Sequence, residues 1–155
     1  MVAAALVLGA CADDPPSAVD DSLARYASAL SQVTSEYRRT VAELRVPDGG
    51  DAGALIGDAA VTMWSYVSAV TSLDPPDAAA AAHQSYLDAF TASAEYMNDA
   101  TATLDGVSIE DMPDVLASQF GSTAAVLGDD VAAACADLQA VVTAAGIGVQ
   151  LGCES

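Results

Sequence analysis

Few residues in this chain have side chains suited to chemistry, and their spacing narrows what that chemistry is. His83 is the only histidine, so two-histidine metal motifs and imidazole pairs are excluded. On an ideal helical wheel His83 falls within about 20° of Phe90, on the inward side of a helix. Two uses follow from that position. As a core residue, His83 hydrogen-bonds a neighbour such as a tyrosine. As a ligand, it pairs with Met63, which stands at a similar height on the preceding helix when both are counted outward from the Pro75-Pro76 turn. A His/Met pair inside a helical bundle is a ligand set for haem or copper. Methionine is also a common core filler, and one pair makes a thin site. Met97 is no substitute, because it lies roughly 21 Å further along the same helix. The expectation is therefore no resident cofactor and no dedicated metal site.

Catalytic patterns are missing as well. The sequence has no Gly-x-Ser-x-Gly elbow, no glycine-rich phosphate loop and no EF-hand spacing, so it predicts a non-enzyme with no catalytic residues. The charge is lopsided, with 22 acidic residues against 4 basic ones and a net charge of −18. Nothing in such a chain displaces counterions from phosphates, which excludes nucleic acid as a partner. The same charge opposes broadside docking on an anionic bilayer. Asp48, Asp51, Asp105, Glu110, Asp111 and Asp114 are expected to gather at one end of the fold. Several of them precede helices two and four, where negative charge is locally favourable. That placement accounts for most of them; the functional alternative is contact with a cation or a basic partner.

The elements that must hold these residues are helices. At 155 residues the chain supports a single hydrophobic core. Val19, Leu23, Tyr26, Leu30, Val33, Tyr37, Val41 and Leu44 recur at spacings of three and four, one continuous apolar stripe. Pro47-Asp48-Gly49-Gly50 stops this first helix. A second runs from about Ala52 to Leu73 with Ile56, Ala59, Met63, Tyr66, Val67 and Val70 inward, and Trp64 is expected to pack between helices from the flank. Asp74 is expected to cap the third helix at Asp77. The third helix turns His83, Tyr86, Phe90, Ala94, Met97, Thr101 and Leu104 inward. The fourth carries Leu116, Phe120, Leu127, Val131, Cys135, Leu138 and Val142, with a kink or break expected near Gly128-Asp129-Asp130. Gly146 ends it as a left-handed cap. The predicted fold is all-α, an up-down-up-down antiparallel four-helix bundle.

The beginning of the chain has a different character. An apolar run ends at Leu8-Gly9-Ala10-Cys11, and Asp13-Asp14-Pro15-Pro16 follows at once. The run is far too short to span a membrane and has the length of a signal-peptide core, without a basic n-region. Leu8-Gly9-Ala10-Cys11 resembles the bacterial lipobox, in which small residues before the cysteine give a peptidase access to the backbone. The resemblance implies that residues 1–10 are a signal peptide and that Cys11 is lipidated. Residues 11–16 then form an acidic tether, and residues 17–155 the bundle domain. Two or more hydrocarbon chains on Cys11 suffice for stable anchoring. Leu73-Asp74-Pro75-Pro76 followed by His83 and Tyr86, with Cys135 and Leu151-Gly152-Cys153, resembles a recurring type of small secreted helical protein from actinobacteria. That likeness covers residues 55–153 and implies origin and location, not mechanism.

An exported chain meets an oxidising compartment. With Cys11 lipidated, Cys135 and Cys153 have only each other, so a disulfide is expected. Gly146 reverses the chain, and residues 147–153 return as an extended tail with Ile147, Val149, Leu151 and Cys153 on one side. The functional expectation is a lipid-anchored module on the extracytoplasmic face of the cell membrane, non-enzymatic and acting by interaction or as structure. The alternative is a carrier of a small ligand or cofactor, haem or copper, in the bundle core near His83 and Met63. Partners are the membrane, through the lipid, and a protein or small ligand whose identity the sequence leaves open, as it does the oligomeric state.

Overall fold

The computed structural model describes residues 18–45 and 50–153. Its regular elements are all helices: α1 (Ala18–Glu43), α2 (Ala52–Thr71), α3 (Asp77–Thr103), α4 (Met112–Phe120) and α5 (Thr123–Ala144). Cys11, the tether and Asp48 lie outside the described residues. No described helix is long and apolar enough to cross a membrane.

Periodic apolar residues build the main core. Leu23 and Leu30 of α1, Val70 of α2, Tyr86 of α3 and Leu138 and Val142 of α5 are buried against one another, joined by Leu151 from the tail. α3 packs against α2 and α5, while α1 packs against α2 and, over a shorter stretch, α5. Small residues set how closely the helices approach. Ala27, Ala79, Ala94 and Ala100 are essentially fully buried. At Gly53 an added Cβ would lie 2.9 Å from the Asp105 backbone nitrogen, and at Gly57 it would lie 3.4 Å from Thr101 Cγ2. These two contacts fix an antiparallel register between α2 and α3, with Gly53 facing Asp105 and Gly57 facing Thr101.

Four expectations need correction. The stretch expected as one fourth helix is two, and the break falls at Gly121, whose φ is +57°, while Gly128 lies inside continuous α5. Glycine weakens a helix by about 1 kcal/mol, which α5 tolerates; only a positive φ requires a stop. Asp74 does not cap α3, because Pro76 takes the N-cap position without a side-chain bond. Two consecutive prolines carry no amide hydrogens, so little there needs capping. Trp64 is 39% exposed rather than wedged between helices. Val41, at 40% exposure, continues the α1 stripe past the point where anything covers it.

The C-terminus follows its expected course. Gly146, with φ +73°, reverses the chain. Its amide donates to Thr143 O at 2.9 Å and the Ile147 amide to Val142 O at 3.2 Å, the paired bonds of a Schellman cap. Leu151 is buried, and Ile147, Val149 and Cys153 pack on the core beside it. Side chains hold the extended backbone that follows. Gln139 Nε2 donates to Val149 O at 3.0 Å, and its Oε1 accepts from the Leu151 amide at 2.8 Å. Ser31 Oγ donates to Gln150 O at 2.8 Å, and Arg38 donates to Gly152 O. Cys135 and Cys153 form a disulfide, with sulfurs 2.07 Å apart. The tail thus straps α1 to α5.

Candidate functional site

Helix α5 lies close to its neighbours only in its second half. From Thr123 to Ala133 most of its residues are exposed, and only Leu127 and Val131 are partly covered. The opening beneath them is a cleft of about 370 Å³, within the size range of small-molecule sites, roughly 300–1,000 Å³. Met63 forms part of its floor, Phe90 and Met97 one wall, and Leu127 and Val131 the other. Gly152 and Cys153 of the strap close one end, beside Arg38. In a chain with 22 acidic residues, the described lining of this cleft contains no carboxylate.

An aromatic ladder makes the inner side rigid. Tyr37 stacks on Tyr66 with centroids 4.5 Å apart, and Phe90 meets Tyr66 and Tyr86 at 4.8 Å each. Thr34 Oγ1 and Tyr66 Oη lie 2.9 Å apart, and Tyr66 Oη is bonded in turn to Tyr86 Oη. These hydroxyls satisfy one another inside the core. Burial disfavours the phenolate and raises the Tyr66 and Tyr86 pKa values, so the network holds neutral phenols. Tyr96 stands nearer the α4 end, its ring edge-on to Phe120 at 5.2 Å.

The structure does not bring Met63 and His83 together. With Gly53 facing Asp105 and Gly57 facing Thr101, Met63 reaches α3 near residue 95, roughly 18 Å along the axis from His83. Met63 accordingly shares a cluster with Ala94, Phe90 and Met97. Counting from the turn misplaced the pair because α3 begins well beyond the end of α2. His83 is buried at the other end of the core, where its Nδ1 lies 2.8 Å from Tyr26 Oη. Desolvation lowers its pKa. Burial raises that of Tyr26, so the contact joins a neutral phenol and a neutral imidazole. This is the core arrangement anticipated for His83, with its Nδ1 engaged.

Two of the acidic residues expected to gather at one end have structural roles. Asp51 accepts the Ala54 amide at 2.8 Å as the α2 N-cap and the Gly106 amide at 3.2 Å from the opposite loop. Asp111 accepts from Ser108 Oγ at 2.8 Å. Among the described residues, no group of three or more histidine, cysteine or carboxylate side chains is arranged to hold a metal.

No family model, curated protein or solved structure matches this chain. The cleft is the feature that sequence reasoning missed. Met97, Leu127 and Val131 were legible as inward residues; Ser93 and Tyr96 were not.

Proposed function

We propose that this chain is a lipid-anchored, non-enzymatic module of the cell envelope that holds a small apolar ligand in the cleft between α3 and α5. The cleft carries the reading. It joins an apolar wall of usable size to a rigid aromatic back, without an acid, base or nucleophile arranged for reaction. The site replaces the haem or copper position near His83 and Met63. In this reading α1, α2, α3 and α5 are the four members of an up-down-up-down bundle, and α4 is a short cap over one end. Supporting it, α1 packs on α2, α2 on α3, α3 on α5 and α5 on α1. Lipidation of Cys11 rests on the lipobox resemblance, and places the bundle on the extracytoplasmic face behind a short acidic spacer.

Two measurements test the two halves. The native protein is expected to partition into detergent and to begin at a lipid-modified Cys11, and Cys11→Ser to abolish the partitioning. An unmodified, soluble native form overturns the anchor. For the cleft, butylbenzene is expected to bind the purified domain at micromolar to millimolar concentration, read by NMR titration. Gly128→Phe fills the cleft mouth from a position where an added Cβ meets nothing within 4 Å. It is expected to abolish binding without lowering the melting temperature. Binding that survives this substitution, or no binding by the unaltered domain, removes the reading.

A further inference from the structure

The cleft is apolar along its body and charged at one end. Arg38, beside the strap, is the charged side chain among its described lining residues. In a chain with 4 basic residues against 22 acidic ones, chance favours the opposite sign there. The guanidinium is held in place. It donates to the Gly152 carbonyl, and a Cβ added at Gly152 would lie 3.2 Å from its Nη1. Arginine stays protonated in any protein setting, so that bond fixes the position of the group and leaves its charge. The charge is felt in the cleft wall: burial raises the Tyr86 pKa, and Arg38 opposes the rise. Arg38 is itself exposed, so a charged group that meets it keeps part of its water and avoids the cost of full burial. Tyr96 Oη, by contrast, is buried without a hydrogen-bond partner and is closed to a bound molecule.

We propose that the cleft takes a single-chain amphiphile with a carboxylate head, its hydrocarbon chain along Met63, Phe90, Met97, Leu127 and Val131 and its head on Arg38. This rests on the cleft reading and supplies the end group of its ligand. The apolar lining favours hydrocarbon over water, and the two methionines adapt their shape to a flexible chain. A carboxylate matches the planar donors of a guanidinium. A phosphate monoester would bring nearly two negative charges to a single described cation, so one negative charge is the closer match. The net charge of −18 slows the approach of an anion. At physiological salt, however, charges beyond about 8 Å are largely screened, and no described carboxylate lines the cleft. The local contact decides.

Three probes that share a chain and differ in their heads test it: octanoate, 1-octanol and octyltrimethylammonium, titrated by NMR into the purified domain at neutral pH. Octanoate is expected to bind about three- to tenfold more tightly than octanol, the worth of an ion pair with hydrogen bonds at an exposed site, and the ammonium most weakly. The net charge alone would favour the ammonium, so the ranking separates the local field from the global one. Arg38→Gln keeps a donor for the Gly152 carbonyl and removes the charge. It is expected to erase the octanoate preference and to leave octanol binding unchanged, while Arg38→Lys retains the preference. Equal affinities for octanoate and octanol overturn the carboxylate head and leave the cleft intact. Tightest binding by the ammonium does the same, as does an octanoate preference that survives in Arg38→Gln. If Arg38→Gln weakens all three probes alike, Arg38 only anchors the strap and the proposal falls. Failure of all three probes while butylbenzene binds overturns the amphiphile; if butylbenzene fails as well, the cleft reading falls with it.

Discussion

His83 and Tyr96 are both polar residues of α3 drawn into the interior, and they differ in whether a partner awaits them. Tyr26 meets His83 at 2.8 Å, and burial lowers the imidazole pKa. The unfolded chain then takes up a proton near pH 6.5 while the folded chain resists it to lower pH. Between those two values the unfolded state binds more protons, so this contribution to stability is complete above about pH 7 and is lost as pH falls. Melting curves of the parent and of His83→Gln should therefore lie furthest apart near pH 7.5 and converge toward pH 5. Curves that stay parallel across that range would sink this linkage. The inward position of His83 was legible because it shares a stripe with Phe90. Tyr96 was not, since it lies about 120° from Phe90 on the helical wheel. α3 is covered by α2 and by α5, and Phe120 of α4 reaches Tyr96. The buried arc is therefore wider than one apolar stripe, and only its centre shows in the periodicity.

At the scale of elements, helix existence was readable and helix register was not. Apolar spacing located α1, α2 and α3, and Gly146 located the end of α5, because these signals are local. The break between α4 and α5 was expected near Gly128 and occurs at Gly121. Both are single glycines in an apolar pattern, and local composition does not distinguish a tolerated glycine from one driven to positive φ. The α2–α3 register depends on a close approach across the structure. Gly53 is the point of that approach: its amide donates to Leu104 O at 3.1 Å, and an added Cβ would lie 2.9 Å from Asp105 N and 3.0 Å from Leu104 C. Those are backbone atoms that cannot rotate away. Gly53→Ala is expected to cost about 2 kcal/mol and to lower the melting temperature by roughly 4–8 °C. Gly57→Ala meets only the Thr101 side chain, at 3.4 Å, and gains helix propensity of about 1 kcal/mol, so it should be neutral or stabilising. Chemical denaturation of both variants checks the contrast. Equal effects would mean that the register is set elsewhere.

Across the whole molecule, the C-terminal strap is where stability and the cleft meet. Its alternation was legible in Ile147, Val149, Leu151 and Cys153, and its cysteine partner followed on the expectation that Cys11 carries lipid and leaves Cys135 as the other thiol. The polar clamps were not legible. Ser31, Arg38 and Gln139 are not part of the apolar stripes of their helices, yet each bonds the tail backbone. The strap therefore has two kinds of attachment, a covalent one at Cys135 and a set of hydrogen bonds upstream of it. Cys135 and Cys153 are 18 residues apart, and closing a loop of that size restricts the unfolded chain by about 3 kcal/mol on the chain-entropy model. Cys153→Ala is accordingly expected to lower the melting temperature by about 6–12 °C. The clamps on Val149, Gln150 and Leu151 should hold most of the tail in place well below that temperature. Gly152 and residue 153 form the end of the cleft, so loosening them opens that end and weakens butylbenzene binding several-fold. Adding Gln139→Ala releases the tail upstream and should deepen both losses together. A Cys153→Ala domain with unaltered melting and unaltered ligand affinity would show that the strap contributes neither to the fold's stability nor to the wall of the site.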